Sequence, residues 1–212
     1  IPEEVRFKPD GTKFYILGGS SDQVYQYSMT TPWDVSTASY DNVSLNVQTQ
    51  DTNPQGLAIN ADGTSFYMCG QTDSIYQYDL TSAYDLSTAS YANKSFSFSS
   101  QIGSGAPWGI HFNSTGTQLY MISSSASGPI YQYSLSSAFD VSTASYANKT
   151  VNAGLNNTTS LTMTPDGVTL YVLDYATGIY KYTLSVADDI STATYDNVFY
   201  NTTAQDLYPF GV

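Results

Sequence analysis

The chain repeats itself four times, and this repetition constrains its fold more than any other feature. Two short phrases recur in register at a period of about 50 residues, which indicates tandem copies of one supersecondary unit. The first phrase is an aromatic, strand-like run at 24–27, 75–78, 130–133 and 179–182. The second reads Asp-x-Ser-Thr-Ala-Ser/Thr-Tyr and occupies 34–40, 85–91, 140–146 and 189–195. We therefore expect a scaffold of four equivalent units.

Composition favours strands throughout these units. The chain has 20 Tyr and 9 Phe but only 6 Lys and Arg together. Aromatic and β-branched residues favour strands, whereas Glu and Lys, which favour helices, are scarce. The sequence predicts an all-β protein.

Each unit contains four strand-like runs, as the first repeat illustrates. An alternating run at 4–7 leads through Asp10-Gly11, a dipeptide typical of hairpin turns, into the apolar run 14–17. An all-apolar strand is expected to be buried on both sides. The Tyr-rich run at 24–27 and a fourth run at 42–47 complete the unit.

The second phrase is predicted to form a structural corner. Aspartate followed by Ser and Thr caps a helical turn, and the aromatic residue before it would pin that turn onto the sheet. The same residue types would also suit a metal or a nucleophile, but four copies of an active site are unusual and four identical corners are not. The corner aspartates are Asp34, Asp85, Asp140 and Asp189; the expected pins are Trp33, Tyr84 and Phe139, with Ala187 in the fourth repeat.

Four-stranded units of this length are typical of β-propeller blades. The sequence predicts one domain over 1–212, with blades at about 1–52, 53–105, 106–156 and 157–206. Residues 207–212 would begin a further blade or form a closing tail. Three arrangements fit: a four-bladed ring, part of a larger ring, or copies that combine. Because an open array exposes two apolar edges, a closed ring is favoured, with its number of blades left open.

The segment Phe7-Lys-Pro-Asp-Gly-Thr-Lys-Phe-Tyr15 resembles the Phe-x-Pro-Asp-Gly-x-x-x-Tyr signature of YVTN-type and related WD-repeat-like propellers. The Trp33-Asp34-x-Ser-Thr-Ala phrase is similar to tandem propeller repeats of phage and environmental microbial proteins. This resemblance covers the whole chain and implies the fold. It leaves the function open, because this fold hosts lactonases, adhesins and interaction platforms alike.

Charge and hydropathy each argue against one class of partner. The formal net charge is −12, only 11% of residues are charged, and there is no basic run. A nucleic-acid backbone needs clustered Lys and Arg, so no nucleic-acid partner is expected. No apolar run approaches the length of a transmembrane helix, so membrane insertion is not expected.

The resemblance implies a ligand site where the loops entering the innermost strands converge. These segments differ between repeats while the framework stays constant, and they supply Gln55, Trp108 and Phe210 as candidate ligand-binding residues. Trp108 would stack on a sugar or a peptide, or else pack at a loop end. His111, the only histidine, is either a ligand-binding group or a satisfied structural residue.

No catalytic set stands out from the sequence. One His and one Cys make neither a zinc site nor a nucleophilic relay, and the only glutamates are Glu3 and Glu4. No catalytic residue, resident metal or cofactor is predicted. Calcium is the alternative, with Asp188-Asp189 and the loops at 21–22 and 72–73 as the places to look.

These features favour a non-enzymatic module for adhesion, recognition or assembly, on a cell or virion surface or extracellular, with a protein or glycan partner at one ring face. The alternatives are a lactonase-type hydrolase and a lectin-like glycan binder. An oligomer or a longer parent chain is also consistent with the repeats. Glycosylation is predicted at the sequons that begin at Asn42, Asn93, Asn113, Asn148, Asn156, Asn157 and Asn201.

Overall fold

The chain forms four antiparallel four-stranded sheets, each with its strands in chain order. The computed structural model describes residues 1–103, 105–125 and 127–204. Blade 1 contains β1 (Pro2–Phe7), β2 (Lys13–Gly18), β3 (Gln23–Met29) and β4 (Ala38–Asn46). Blade 2 contains β5 (Pro54–Ile59), β6 (Ser65–Gly70), β7 (Ser74–Leu80) and β8 (Ala89–Ser97). Blade 3 contains β9 (Pro107–Phe112), β10 (Gln118–Ser123), β11 (Pro129–Leu135) and β12 (Ala144–Asn152). Blade 4 contains β13 (Thr158–Met163), β14 (Thr169–Asp174), β15 (Gly178–Leu184) and β16 (Ala193–Asn201).

The four sheets are the blades of a β-propeller, which confirms the predicted fold class. The first strands, β1, β5, β9 and β13, pack side by side around a common axis. Glycine allows the closest approaches: a β-carbon on Gly56 would lie 2.7 Å from the Trp108 carbonyl oxygen. A β-carbon on Gly109 would lie 2.9 Å from the Ser160 α-carbon. At the equivalent positions of β1 and β13, Glu4 and Ser160 meet through their side chains, with the Ser160 hydroxyl 3.2 Å from Glu4 Oε2.

Helical structure is confined to short turns. The α-helix α1 spans Ser99–Ile102, and 3-10 turns at Val35–Thr37, Leu86–Thr88, Val141–Thr143 and Ile190–Thr192 form the corners. In the part of the chain that the structure describes, no helix has the length and apolar character needed to cross a membrane.

Hydrophobic clusters fill the three spaces between consecutive blades. The cluster between blades 1 and 2 contains Leu17 and Leu57, the next contains Cys69 and Ile110, and the last contains Ile122 and Leu161. The second strands of blades 2 and 3, β6 and β10, therefore lie between two apolar clusters, as their apolar sequences predicted, whereas β2 and β14 each contribute to one cluster of the described residues. No fourth cluster joins blade 4 to blade 1 within residues 1–103, 105–125 and 127–204.

Each corner aspartate caps its 3-10 turn. In blade 1, Asp34 Oδ1 accepts hydrogen bonds from the Ser36 amide and hydroxyl, and the same bonds recur in the other three blades. The preceding residue has positive φ in every blade, and in blades 1 to 3 its ring covers a turn glycine. In the fourth blade this residue is Asp188, with φ of 61°, and the expectation of Ala187 was wrong by one position.

Two polar side chains of each of blades 1 to 3 bind the corner of the next blade. The Tyr15, Tyr67 and Tyr120 hydroxyls donate to the carbonyls of the residues before the next corner aspartates. The Gln26, Gln77 and Gln132 amide oxygens accept from the first backbone N–H of the next 3-10 turn. The repeated Tyr and Gln thus join blades as well as strands.

The fourth strand of every blade contains a bulge with an asparagine in the left-handed region. The residues are Asn42, Asn93, Asn148 and Asn197, with φ between 56° and 58°. Asparagine tolerates this conformation better than most residues, and bulges often need it. The bulge therefore accounts for asparagine at this position of the repeat, whether or not a sequon follows.

Candidate ligand site at the propeller axis

One position of the first strands differs in chemistry from blade to blade. Arg6, Ala58, His111 and Thr162 occupy equivalent places on β1, β5, β9 and β13, two residues after the layer of Glu4, Gly56, Gly109 and Ser160. Residues two apart on a strand share a face, so both sets lie on the axial side. All four side chains of the first set line one cavity of about 410 Å³ at the end of the axis where the first strands finish.

Apolar groups form most of the cavity wall. Phe7, Ile59 and Phe112, the residues that follow three of the axial side chains, line it, and Phe139 of the blade 3 corner also contributes. Asn113 adds a polar group at the rim. An apolar hollow with a few fixed polar groups is the usual form of a small-ligand site.

Arg6 brings a positive charge that is already balanced. Its Nη1 lies 2.9 Å from Glu4 Oε1, and its Nε donates to the Leu57 carbonyl at 2.9 Å. Glu4 is almost fully buried and also accepts from Ser160. Because the guanidinium is held on both sides, it provides a rigid polar wall rather than a mobile charge.

His111 presents an uncommitted imidazole to the cavity. Neither ring nitrogen forms a hydrogen bond with another described residue. Burial among the inner strands, and secondarily the Arg6 charge, lowers the pKa of His111 to about 3. The imidazole is therefore neutral at pH 7, with one nitrogen able to donate and the other able to accept.

The candidate residues from the loops lie at the opposite end of the axis. Gln55 and Trp108 are the second residues of β5 and β9, whereas His111 is the fifth residue of β9. Gln55 is buried; its Nε2 donates to Asn53 Oδ1 at 2.9 Å, and its Oε1 has no partner among the described residues. Trp108 is half-buried. Phe210 lies outside the described residues. The structure thus brings Gln55 and Trp108 together at one end and separates His111 from them.

Arg6 and Thr162 were missed as site residues. Each stands at the same place in its first strand as His111, and aligning the four strands would have identified them.

The other candidate residues have structural partners of their own. Asn113 is buried, accepts from the Gln118 amide and donates to Asp188 Oδ2, so a glycan there would displace these bonds. Asp188 also accepts from Tyr120, between blades 3 and 4. Within the described ranges, no group of three or more His, Cys, Asp or Glu side chains is placed to hold a metal ion.

Comparison with known proteins identifies the fold alone. No protein-family model and no curated protein matches the chain. A protein assigned as a 6-phosphogluconolactonase from Bacteroides fragilis has a TM-score of 0.62 at 15% identity, over 98% of this chain and 56% of the other. The periplasmic gluconolactonase of Pseudomonas aeruginosa gives 0.58 at 12% identity, over 90% and 51%. The WD40 repeats of RRP9 give 0.59 at 12% identity, over 92% and 50%. The chain thus spans about half the length of these propellers.

Proposed function

We propose that the chain is a non-enzymatic recognition module that receives a chemical group of its partner in the axial cavity. The observation that carries this proposal is the layer of Arg6, Ala58, His111 and Thr162. The second and third strands and the corners repeat closely in the four blades, whereas this layer of the first strands holds four different side chains around one cavity. Variation on a constant scaffold is what a binding site requires.

The state of His111 supports binding over catalysis. A general base works best when its pKa lies near the working pH, and the pKa of this imidazole is lowered to about 3. No hydrogen bond from another described residue orients the ring as a base. Aromatic walls with one donor and one acceptor suit a sugar residue or a peptide side chain.

The test is binding to an immobilised glycan array and a peptide array. Thr162→Phe fills the cavity from β13 and is expected to abolish the signal. Thr194→Phe makes the same change at an exposed site on the outer strand β16 and should bind as the wild type does. Equal binding by both variants would overturn the cavity as the site.

The alternative is a lactonase-type hydrolase, which is the activity named for two of the structural neighbours. Hydrolysis of δ-gluconolactone by the purified chain separates the two functions. We expect no rate above the uncatalysed reaction. If the chain hydrolyses the lactone and His111→Ala abolishes this activity, the chain is a hydrolase and the recognition proposal is wrong.

We also propose a surface or extracellular location, which the exposed sequons support. Asn42, Asn93, Asn148, Asn156 and Asn201 are exposed and Asn157 is half-buried, whereas Asn113 is buried. After secretion from a eukaryotic host, site-resolved mass spectrometry should find glycan on the exposed asparagines and none on Asn113. Glycan on Asn113 alone would contradict this assignment.

A further inference from the structure

The two ends of the blade array are unfinished copies of the interface that joins the blades. Among the four described blades, none packs against the corner of blade 1. Val35 is 62% exposed, whereas its equivalents Leu86, Val141 and Ile190 are at most 2% exposed. Trp33, at the place of the buried Tyr84, is 59% exposed.

Blade 4 presents the complementary half of the same interface. Val198 is 53% exposed, and its equivalent Val43 packs in the cluster between blades 1 and 2. Tyr200 is 65% exposed, whereas its equivalents Leu45, Phe96 and Val151 pack in the three inter-blade clusters. Within the described part of the chain, no carbonyl accepts from the Tyr171 hydroxyl, although Tyr15, Tyr67 and Tyr120 all bind the next corner.

We infer that these two faces bind a second copy of the chain head to tail, blade 4 of each copy against blade 1 of the other. The inference depends on continuity with the existing interfaces. In such a pair the Tyr171 hydroxyl meets the Trp33 carbonyl of the second copy, while Val198 and Tyr200 cover Val35. Two such contacts close into one ring, because a head-to-tail interface with the right rotation is self-closing.

The chain spans 50–56% of the solved propellers described above, so two copies supply as many residues as one complete ring of that kind. Closure requires blades 1 and 4 to separate at the axis, where they are linked by the hydrogen bond from Ser160 to Glu4. This separation also parts Arg6 from Thr162, so the paired ring and the axial cavity of the single chain are alternative states.

The seam between copies differs from the internal interfaces at one position. Lys181 stands where Gln26, Gln77 and Gln132 accept the N–H of the next corner, and an ammonium group has no acceptor. Its Nζ pairs with Asp196 at 3.0 Å. A seam without this hydrogen bond is expected to open more readily than the interfaces inside one copy.

Sedimentation velocity over about two orders of magnitude in concentration tests the inference. The wild type is expected to shift from the 23.0 kDa chain toward twice that mass. Val35→Asp should raise the dissociation constant at least tenfold while keeping the circular dichroism spectrum of the wild type. The matched control is Val186→Asp, at a valine 54% exposed on the blade 4 corner, which faces blade 3 and should leave the mass distribution unchanged.

A mixing experiment checks the orientation of the two copies. Val198→Asp alters the blade 4 face and should weaken pairing as strongly as Val35→Asp does. The two variants mixed should associate better than either alone, since each retains the face that the other lacks. A wild type that stays at one chain mass at every concentration would overturn the inference. Pairing unaffected by Val198→Asp would overturn the head-to-tail arrangement.

The other candidate occupant is a further blade joined to the same chain. Appending a second copy of residues 53–103 after Val212 tests it. If the fusion is monomeric and more resistant to urea while residues 1–212 alone never pair, the faces take a blade in cis and the second copy is excluded.

Discussion

At the scale of single residues, the axial layer shows how a repeated strand acquires a distinct site. Arg6 is held by Glu4 and by a carbonyl of β5, while His111, two blades further around the same cavity, has no hydrogen-bond partner among the described residues. His111 interrupts an otherwise apolar strand, whereas Arg6 shares β1 with Glu3 and Glu4. The repeat therefore fixes where these side chains point, and the individual residue fixes what they can bind.

Replacing His111 should change how stability depends on pH. Because burial lowers the pKa of folded His111, the unfolded chain binds more protons between about pH 6.5 and pH 3, and stability falls as the pH decreases through that window. The wild type should lose about 1–2 kcal/mol through this group between pH 7 and pH 5. His111→Gln should not lose it, as urea unfolding at both pH values would show.

Other titrating groups do not confuse this comparison. Burial raises the pKa of Glu3, which acts in the opposite direction, but Glu3 is present in both proteins and cancels in the difference. Equal slopes for wild type and His111→Gln would show that the imidazole is solvated in the folded chain.

At the scale of elements, the inter-blade hydrogen bond from the second strand contributes to stability only where a next blade exists. The Tyr67 hydroxyl on β6 lies 2.7 Å from the Phe139 carbonyl oxygen, and Tyr67 is fully buried. Tyr171 on β14 occupies the same position without such a partner among the residues described. Tyr171 can therefore serve as the control for Tyr67 in a comparison of hydroxyl-deletion variants.

Tyr67→Phe should lower the free energy of unfolding by about 1–2 kcal/mol, because the buried carbonyl loses its donor. Tyr171→Phe removes the same atom and should leave the stability almost unchanged. Urea denaturation at low protein concentration, where the chain is unpaired, compares the two. A similar loss in both variants would mean that the hydroxyl acts within its own blade.

The corner aspartates allow the helix cap and the ion pair to be separated. Asp85 caps its 3-10 turn, whereas Asp140 caps its turn and also lies 2.8 Å from Lys94 Nζ of the preceding blade. Asp85→Ala should cost about 1 kcal/mol for the lost cap. Asp140→Ala should cost up to about 1 kcal/mol more, and only that excess should shrink in high salt. Thermal unfolding at low and high ionic strength measures it.

At the scale of the whole molecule, each blade packs mainly against the blades next to it in the chain. The local stability of a blade should therefore depend on its position in the array. Among the described residues, blades 2 and 3 have a hydrophobic cluster on each side, whereas blades 1 and 4 have a cluster on one side only. In repeat arrays of this kind, the terminal units open first.

Hydrogen exchange should show this order directly. Amides of β6 and β10 are expected to exchange more slowly than those of β2 and β14. Raising the protein concentration should protect β2 and β14 selectively if copies pair through the end blades. Uniform protection at all concentrations would argue that the four blades unfold as one unit without pairing.

The sequence predicted the blades and most of the corners, because both depend on local rules repeated four times. Period, turn dipeptides and apolar runs located every sheet, and the capping role of Asp34 and its equivalents followed from the repeated pattern of aspartate followed by Ser and Thr. The axial cavity was not predicted, since Arg6 and Thr162 become neighbours of His111 only when strands about 50 residues apart converge. The difference between the proposed seam and the internal blade interfaces is visible in the sequence at one position, where Lys181 replaces the repeated glutamine.

The asparagine bulge of the outer strands limits aggregation of the chain through its exposed strand edges. Every blade ends in an outermost strand whose free backbone groups could recruit strands from other molecules. The left-handed residue, Asn42 and its three equivalents, interrupts each of these strands midway and twists it. This kink limits strand pairing at the outer edges of the blades and confines association to the two end faces of the array.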